Sequence, residues 1–198
     1  MNHLQKQAIE DVEIILTDKD QNYLGPDLML RRCRLILRTN ARALTINEVQ
    51  LLDGYVEAKK KLTNFQMWCG AVIKGCTFRG QFVGNDFGYW PEQHSSGSIE
   101  NCDFSEALLD GCRFMGCDMS SIKLPKWPCF TILSPHKQRR EIESIQWPGK
   151  LRFWAMDLPS QPDITAGLVE YAPTLAKQFS CTDEELRETL ARLGSVVM

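Results

Sequence analysis

Long apolar runs are missing from this 198-residue chain: no stretch approaches 18 uninterrupted apolar residues, so no membrane-spanning helix is expected. Residues Met1 to Glu10 lack an apolar core flanked by positive charge, which argues against a secretory signal and makes the cytoplasm the expected compartment. Charge of one sign is equally lacking. The 23 Lys and Arg against 25 Asp and Glu leave a formal net charge of −2, so there is no global electrostatic footprint for nucleic acid. Histidine is scarce, with only His3, His94 and His136, widely separated. No phosphate-binding glycine loop, serine nucleophile elbow or metalloprotease helix occurs, so neither a metal nor a cofactor is expected.

What the chain does have is eight cysteines and 13 glycines. In a reducing compartment thiols serve metal binding, catalysis or packing rather than disulfides. A five-residue period accounts for four of the cysteines and about half of the glycines. Trp68, Ile73, Phe78 and Val83 are five apart, and after an interruption Ile99, Phe104, Leu109, Phe114, Met119 and Leu124 resume the step. Ten apolar residues in ten places arise by chance roughly 2 times in 10,000 at this composition. Two places earlier, seven of the ten residues are Gly, Ala or Cys: Ala71, Cys76, Gly97, Cys102, Ala107, Cys112 and Cys117. Two places later stand five glycines (Gly70, Gly75, Gly80, Gly111, Gly116) and two asparagines (Asn85, Asn101).

Period five suits neither a helix nor a flat strand. It suits a chain that turns a corner after each short extended segment, with a large and a small side chain pointing inward from alternate positions. The corner needs backbone angles that Gly and Asn tolerate. Four such sides close a coil of about 20 residues, and coils stack at the ~4.8 Å spacing of hydrogen-bonded strands. The segments "AVIKG CTFRG" and "CDFSE ALLDG CRFMG CDMSS" resemble pentapeptide-repeat proteins, although only Asp103 and Asp118 keep the family's acid or amide before the large residue. The resemblance covers residues 66–126 and implies a right-handed quadrilateral β-helix.

The expected fold is therefore an all-β solenoid, a right-handed parallel β-helix of pentapeptide-repeat type, with a C-terminal α-helical cap. Residues 1–126 form the β-helix, with 12–65 as irregular coils (Val12, Ile14, Leu16, then Cys33, Leu35, Leu37) and 66–126 as repeats. A separate small sheet over 12–65 is the competing reading. Residues 127–198 form a proline-rich connector and helical cap, since Pro125, Pro128 and Pro135 stop the repeat. His136 to Gln146 reads as a helix, and Asp163 to Phe179 as a helix broken at Pro173. Thr182 to Leu193 is the clearest helix: Thr182 and Glu185 make a capping box, Gly194 can end it, and Leu186, Leu190 and Leu193 form its apolar face. A homodimer contact through these helices is a second role open to them.

Candidate functional residues fall in two places. The interruption, Gly84 to Ser98, should leave the solenoid as a loop carrying Tyr89, Trp90, Glu92 and His94, and exposed loop aromatics anchor partners. The bland alternative has Tyr89 and Trp90 folding back to seal the coil. Arg32, Arg34 and Arg38 alternate with Cys33, Leu35 and Leu37, placing three cations on one outward face without an acid among them. They suit an acidic partner, or a solvated surface.

These features lead to the expectation of a non-catalytic protein-interaction module of bacterial type, an inhibitor or immunity protein being one instance, with a protein partner. In the resembled family some members mimic DNA to protect a topoisomerase such as gyrase, so that role is a second expectation. Its acidic surface would have to come from Asp86, Glu92, Glu100, Asp103, Glu106, Asp110 and Asp118. An enzyme with Cys129 as nucleophile and His136 as base is a third. A helix-turn-helix reading of the tail is disfavoured, because Asp183, Glu184 and Glu185 would repel phosphates.

Overall fold

The computed structural model describes residues 2–198. The chain winds through about five coils. The first holds strands β1 (Asn2–Leu4), β2 (Gln7–Glu10) and β3 (Glu13–Thr17); the second holds β4 (Asn22–Leu24), β5 (Leu28–Arg31) and β6 (Arg34–Arg38). The third has β7 (Leu44–Ile46), β8 (Val49–Leu52) and β9 (Tyr55–Thr63). In the fourth, a single helical turn at Met67–Gly70 precedes β10 (Val72–Lys74), β11 (Thr77–Val83) and β12 (Asp86–Gly88). The fifth comprises β13 (Ser98–Glu100), β14 (Asp103–Asp110) and β15 (Cys112–Met115). Three parallel sheets run up the stack, in the orders β1-β4-β7, β2-β5-β8-β10-β13 and β3-β6-β9-β11-β14. Residues 12–65 are thus continuous with the repeats.

The corners explain why so short a period closes. Asp11, Arg32, Asp53, Gly75 and Asn101 stack in one corner column, all with φ between 51° and 65°. Each of the first four donates its N–H to the coil above, from Asp11 to the Arg31 carbonyl at 3.1 Å through Gly75 to the Glu100 carbonyl at 3.0 Å. At Gly75 the left-handed backbone is joined by crowding, because a Cβ there would stand 2.5 Å from Asp53 Oδ1.

Inside, Leu24, Leu30, Leu35 and Val56 fill the early coils, and aromatic rings fill the later ones. Phe78 stacks on Phe104 with ring centroids 4.4 Å apart, and Phe87 on Phe114 at 5.4 Å. The small column is as expected from the spacing. Cys33, Cys76 and Cys102 are buried and donate their thiols to main-chain carbonyls of the coil before, those of Ile9, Leu51 and Ile73 respectively. Cys112 does the same to Phe82. One large position differs from the five-step: Phe82 is fully buried and Val83 only half-buried. A register shift between Gly80 and Phe82, opposite the longer β9, shortens that step to four.

The tail departs further from expectation. It contributes three strands, β16 (Cys129–Leu133), β17 (Thr165–Tyr171) and β18 (Val196–Val197), besides helices α1 (Arg139–Ser144), α2 (Leu151–Asp157), α3 (Ala172–Phe179) and α4 (Asp183–Leu190). Residues 165–171 are strand rather than helix. Thr165, Val169 and Tyr171 favour extended backbone, and the strand pairs antiparallel with both β15 and β16. Pro173 then sits in the first turn of α3, where its missing N–H costs nothing. The resulting fourth sheet, β12-β15-β17-β16-β18, welds the cap to the solenoid. A second core of Phe130, Ile132, Leu151, Leu168, Leu186 and Leu190 lies beneath the helices. The Thr182–Glu185 capping box forms as the spacing predicts, but α4 stops at Leu190, and the Gly194 N–H instead donates to Glu141 Oε1 at 2.8 Å.

Candidate functional site: the loop and cleft beside Arg113

The interruption is shorter than Gly84 to Ser98. Asn85 and Phe87 are buried, and Asp86–Gly88 is β12, so the fourth coil is completed before the chain departs. Residues 89–97 form the excursion. It lies back on the solenoid instead of projecting freely: the Tyr89 N–H donates to the Met115 carbonyl at 2.9 Å, and Ser95 Oγ lies 3.4 Å from Glu48 Oε1. His94 rests on Gly70, where a Cβ would come within 2.8 Å of its Nδ1. Tyr89, Trp90 and His94 are half-buried and Glu92 is exposed.

Trp90 is held by charge. The Arg113 guanidinium lies 5.1 Å from the Trp90 ring centre, a cation–π distance. From β15 it donates Nε and Nη2 to Asp86 Oδ1 and Oδ2 at 2.7 and 2.8 Å. Parallel pairing of Asp86 with Arg113 makes this meeting inevitable. The Asp86 side chain is 2% exposed and that of Arg113 22%, so this fork is far drier than other ion pairs of the molecule.

Arg113 also lines a cleft of about 250 Å³ between the last coil and the cap, with Gly111, Trp154, Asp157, Gln161 and Glu170. Here the corner column Asn64, Gly84, Gly111 ends. Asn64 donates to the Val83 carbonyl and Gly84 to the Asp110 carbonyl, both at 2.8 Å, but Gly111 finds the Glu170 carboxylate at 3.1 Å. Trp154 Nε1 donates to the other oxygen, also at 3.1 Å. Burial pushes the Glu170 carboxyl up to about 7, and Asp110 adds to the rise, against the opposing hydrogen bonds from Trp154 and Gly111. Nothing in a period-five reading singles out Glu170 or Arg113; only the partner strand β17 reveals them.

The arginine face reads differently in three dimensions. In-register stacking brings acids of the first coil beside it: Arg32 pairs with Asp11 at 2.7 Å and Glu10 at 2.8 Å, and Arg34 with Glu13 at 3.6 Å while lying 5.1 Å from the Tyr55 ring centre. Arg38 is exposed and has no ion pair among the described residues. These residues sit on the second coil and Trp90 follows the fourth, so the two candidate surfaces are separate. The same stacking neutralises acids on the later coils. Asp86, Glu100, Asp103 and Glu106 pair with Arg113, Lys74, Lys123 and Arg79, which leaves a mixed surface where a duplex mimic needs an acidic one.

Cys129 is buried, donates its thiol to the Leu109 carbonyl at 3.5 Å and has its pKa raised by burial, all of which disfavour a thiolate. No helix is long and apolar enough to cross a membrane, among the described residues. Compared with known proteins, the chain matches no family model, no curated sequence and no solved structure.

Proposed function

We propose that this protein is a non-catalytic protein-interaction module whose partner surface is the seam formed by Trp90, Arg113 and the adjoining cleft. The observation that carries the reading is the mounting of Trp90. A half-exposed indole on an excursion is fixed by a guanidinium that is itself locked by two bonds to a buried carboxylate. Rigid aromatic and arginine anchors on a preorganised frame lose little entropy on binding, and such anchors concentrate interface energy. A stacked scaffold with inert, carbonyl-bonded thiols suits a protein that holds a surface still. Neutralising another protein, as an inhibitor or immunity protein does, is the instance we favour.

The scaffold we assign to the pentapeptide-repeat type, with a right-handed coil. Supporting this are the unbroken fives from Ile99 to Leu124 and the return of the chain after 20 residues, where Lys123 bridges to Asp103 and Cys129 reaches Leu109. Affinity capture from native cells tests the function. A single partner should be retained by the unaltered chain and by Arg34→Glu, and lost with Trp90→Ala. Retention by Trp90→Ala moves the interface elsewhere; loss with Arg34→Glu alone assigns it to the arginine face.

A further inference from the structure

The cleft at Glu170 holds more acceptors than donors. Each carboxylate oxygen of Glu170 has one hydrogen bond from the chain and room for another. Gln161 Oε1 is buried and has no donor among the described residues, and Gln161 lines the same cleft. Arg113, the cation in the cleft's lining, is occupied by Asp86. Asp157 adds a further negative charge to the wall. At about 250 Å³ the cleft falls below the ~300 to 1,000 Å³ of sites for drug-sized ligands, and is the size for one long side chain.

We infer that this cleft receives a single arginine side chain from the protein partner, its guanidinium bridging Glu170 and Gln161. Arginine is preferred because its planar fork carries five donors and bonds a carboxylate through two of them. The inference rests on the interaction reading above and supplies the chemistry of its second anchor: Trp90 offers apolar contact, and the cleft selects a cation next to it. The charged and titratable groups around Glu170 are Asp110 of β14, Cys112 and Arg113 of β15, Asp157 at the end of α2, and the neighbouring Tyr171 with its strand partner Cys129 of β16. Among these only Arg113 is cationic, and its charge is engaged. An incoming guanidinium therefore meets a carboxyl with no competing counter-ion, and it binds better as pH rises and Glu170 ionises.

The test uses the full chain and needs no partner. Nα-acetyl-arginine methylamide is titrated while the Trp154 indole N–H, which donates to Glu170, is followed by NMR. The expected result is a saturable shift with a dissociation constant on the order of 1 mM. The neutral Nα-acetyl-citrulline methylamide should bind roughly tenfold more weakly. Affinity should grow between pH 6 and pH 8, weaken in Gln161→Leu and vanish in Glu170→Gln. An unmoved Trp154 signal at tenfold higher ligand, or equal binding of citrulline, overturns the inference; so does undiminished binding by a folded Glu170→Gln. Should Glu170→Gln fail to fold, the citrulline comparison on the unaltered chain decides. Partner capture by the Trp90 loop is measured separately, so an arginine-blind cleft beside a functioning loop refutes this inference alone.

Discussion

Replacing Arg113 by alanine removes both bonds to Asp86 and leaves a carboxylate that is 2% exposed without a counter-ion. Breaking a buried pair by deleting one partner costs about 3–5 kcal/mol, whereas an exposed pair is worth about 0–1 kcal/mol. Arg113 retains 22% exposure, so some water reaches the site and the lower end, about 3 kcal/mol, is the reasoned value. For a chain of this size each kcal/mol moves the melting temperature by about 2–4 °C, giving a drop of about 6–12 °C. Thermal melting by circular dichroism, with guanidinium titration followed by tryptophan fluorescence, measures it. The double variant Asp86→Leu/Arg113→Met removes both charges together and should recover to within about 1 kcal/mol of the unaltered chain. Trp90 would lose its cation in either case, so its emission should change in the double variant even where stability is restored. A loss below about 1 kcal/mol in Arg113→Ala would refute the reasoning, because the fork would then be energetically a surface pair. A double variant no more stable than the single one would refute it equally.

Three further outcomes follow from the same geometry. Glu170 has a folded pKa raised to about 7 from an ordinary 4.5, so its protonated form favours the folded state. Its contribution is fully present below pH 4.5 and is lost as pH rises through 7, an effect of up to about 3 kcal/mol that Glu170→Gln should flatten in melting curves between pH 5 and pH 8. Gly80→Ala places a Cβ 2.1 Å from the Ala58 carbonyl oxygen at a φ of +98°, and should cost more than about 2 kcal/mol in chemical denaturation. Burial pushes the thiols of Cys76 and Cys112 up to about 12 and that of Cys102 to about 11; alkylation at pH 8 followed by mass spectrometry should mark the half-buried Cys181 first and these three only after unfolding.

Much of the scaffold is legible in the sequence because its signals are local. A corner needs a residue that accepts positive φ, and an interior of fixed width needs a small side chain opposite a large one; both recur every five residues. Reading weakens where partners are distant. Val83 fits the spacing and Phe82 does not, yet the ring is inside, because β9 spends extra residues opposite Gly80 and Phe82. Within the segment 165–171, Leu168 stands a helical interval before Ala172, but two waiting strand edges decide its conformation. The arginines look unopposed along the chain, since Glu10, Asp11 and Glu13 lie some 21 residues earlier and become neighbours only when coils stack. The same distance hides the candidate site. Trp90 is visible as a loop aromatic, while Arg113, Trp154 and Glu170 meet through β15, α2 and β17.

The reversal of direction where β17 lies against β15 makes the solenoid a ladder that can be lengthened from within but not beyond its last rung. Any coil added after β15 would need a parallel edge that β17 already occupies in the opposite sense, and would expel Glu170 from the Gly111 amide. A duplicated 21-residue coil placed among the first three, by contrast, meets the same corners and carbonyls above and below it. The molecule can therefore change its reach in increments of about 4.8 Å while the surface at its capped end stays as it is.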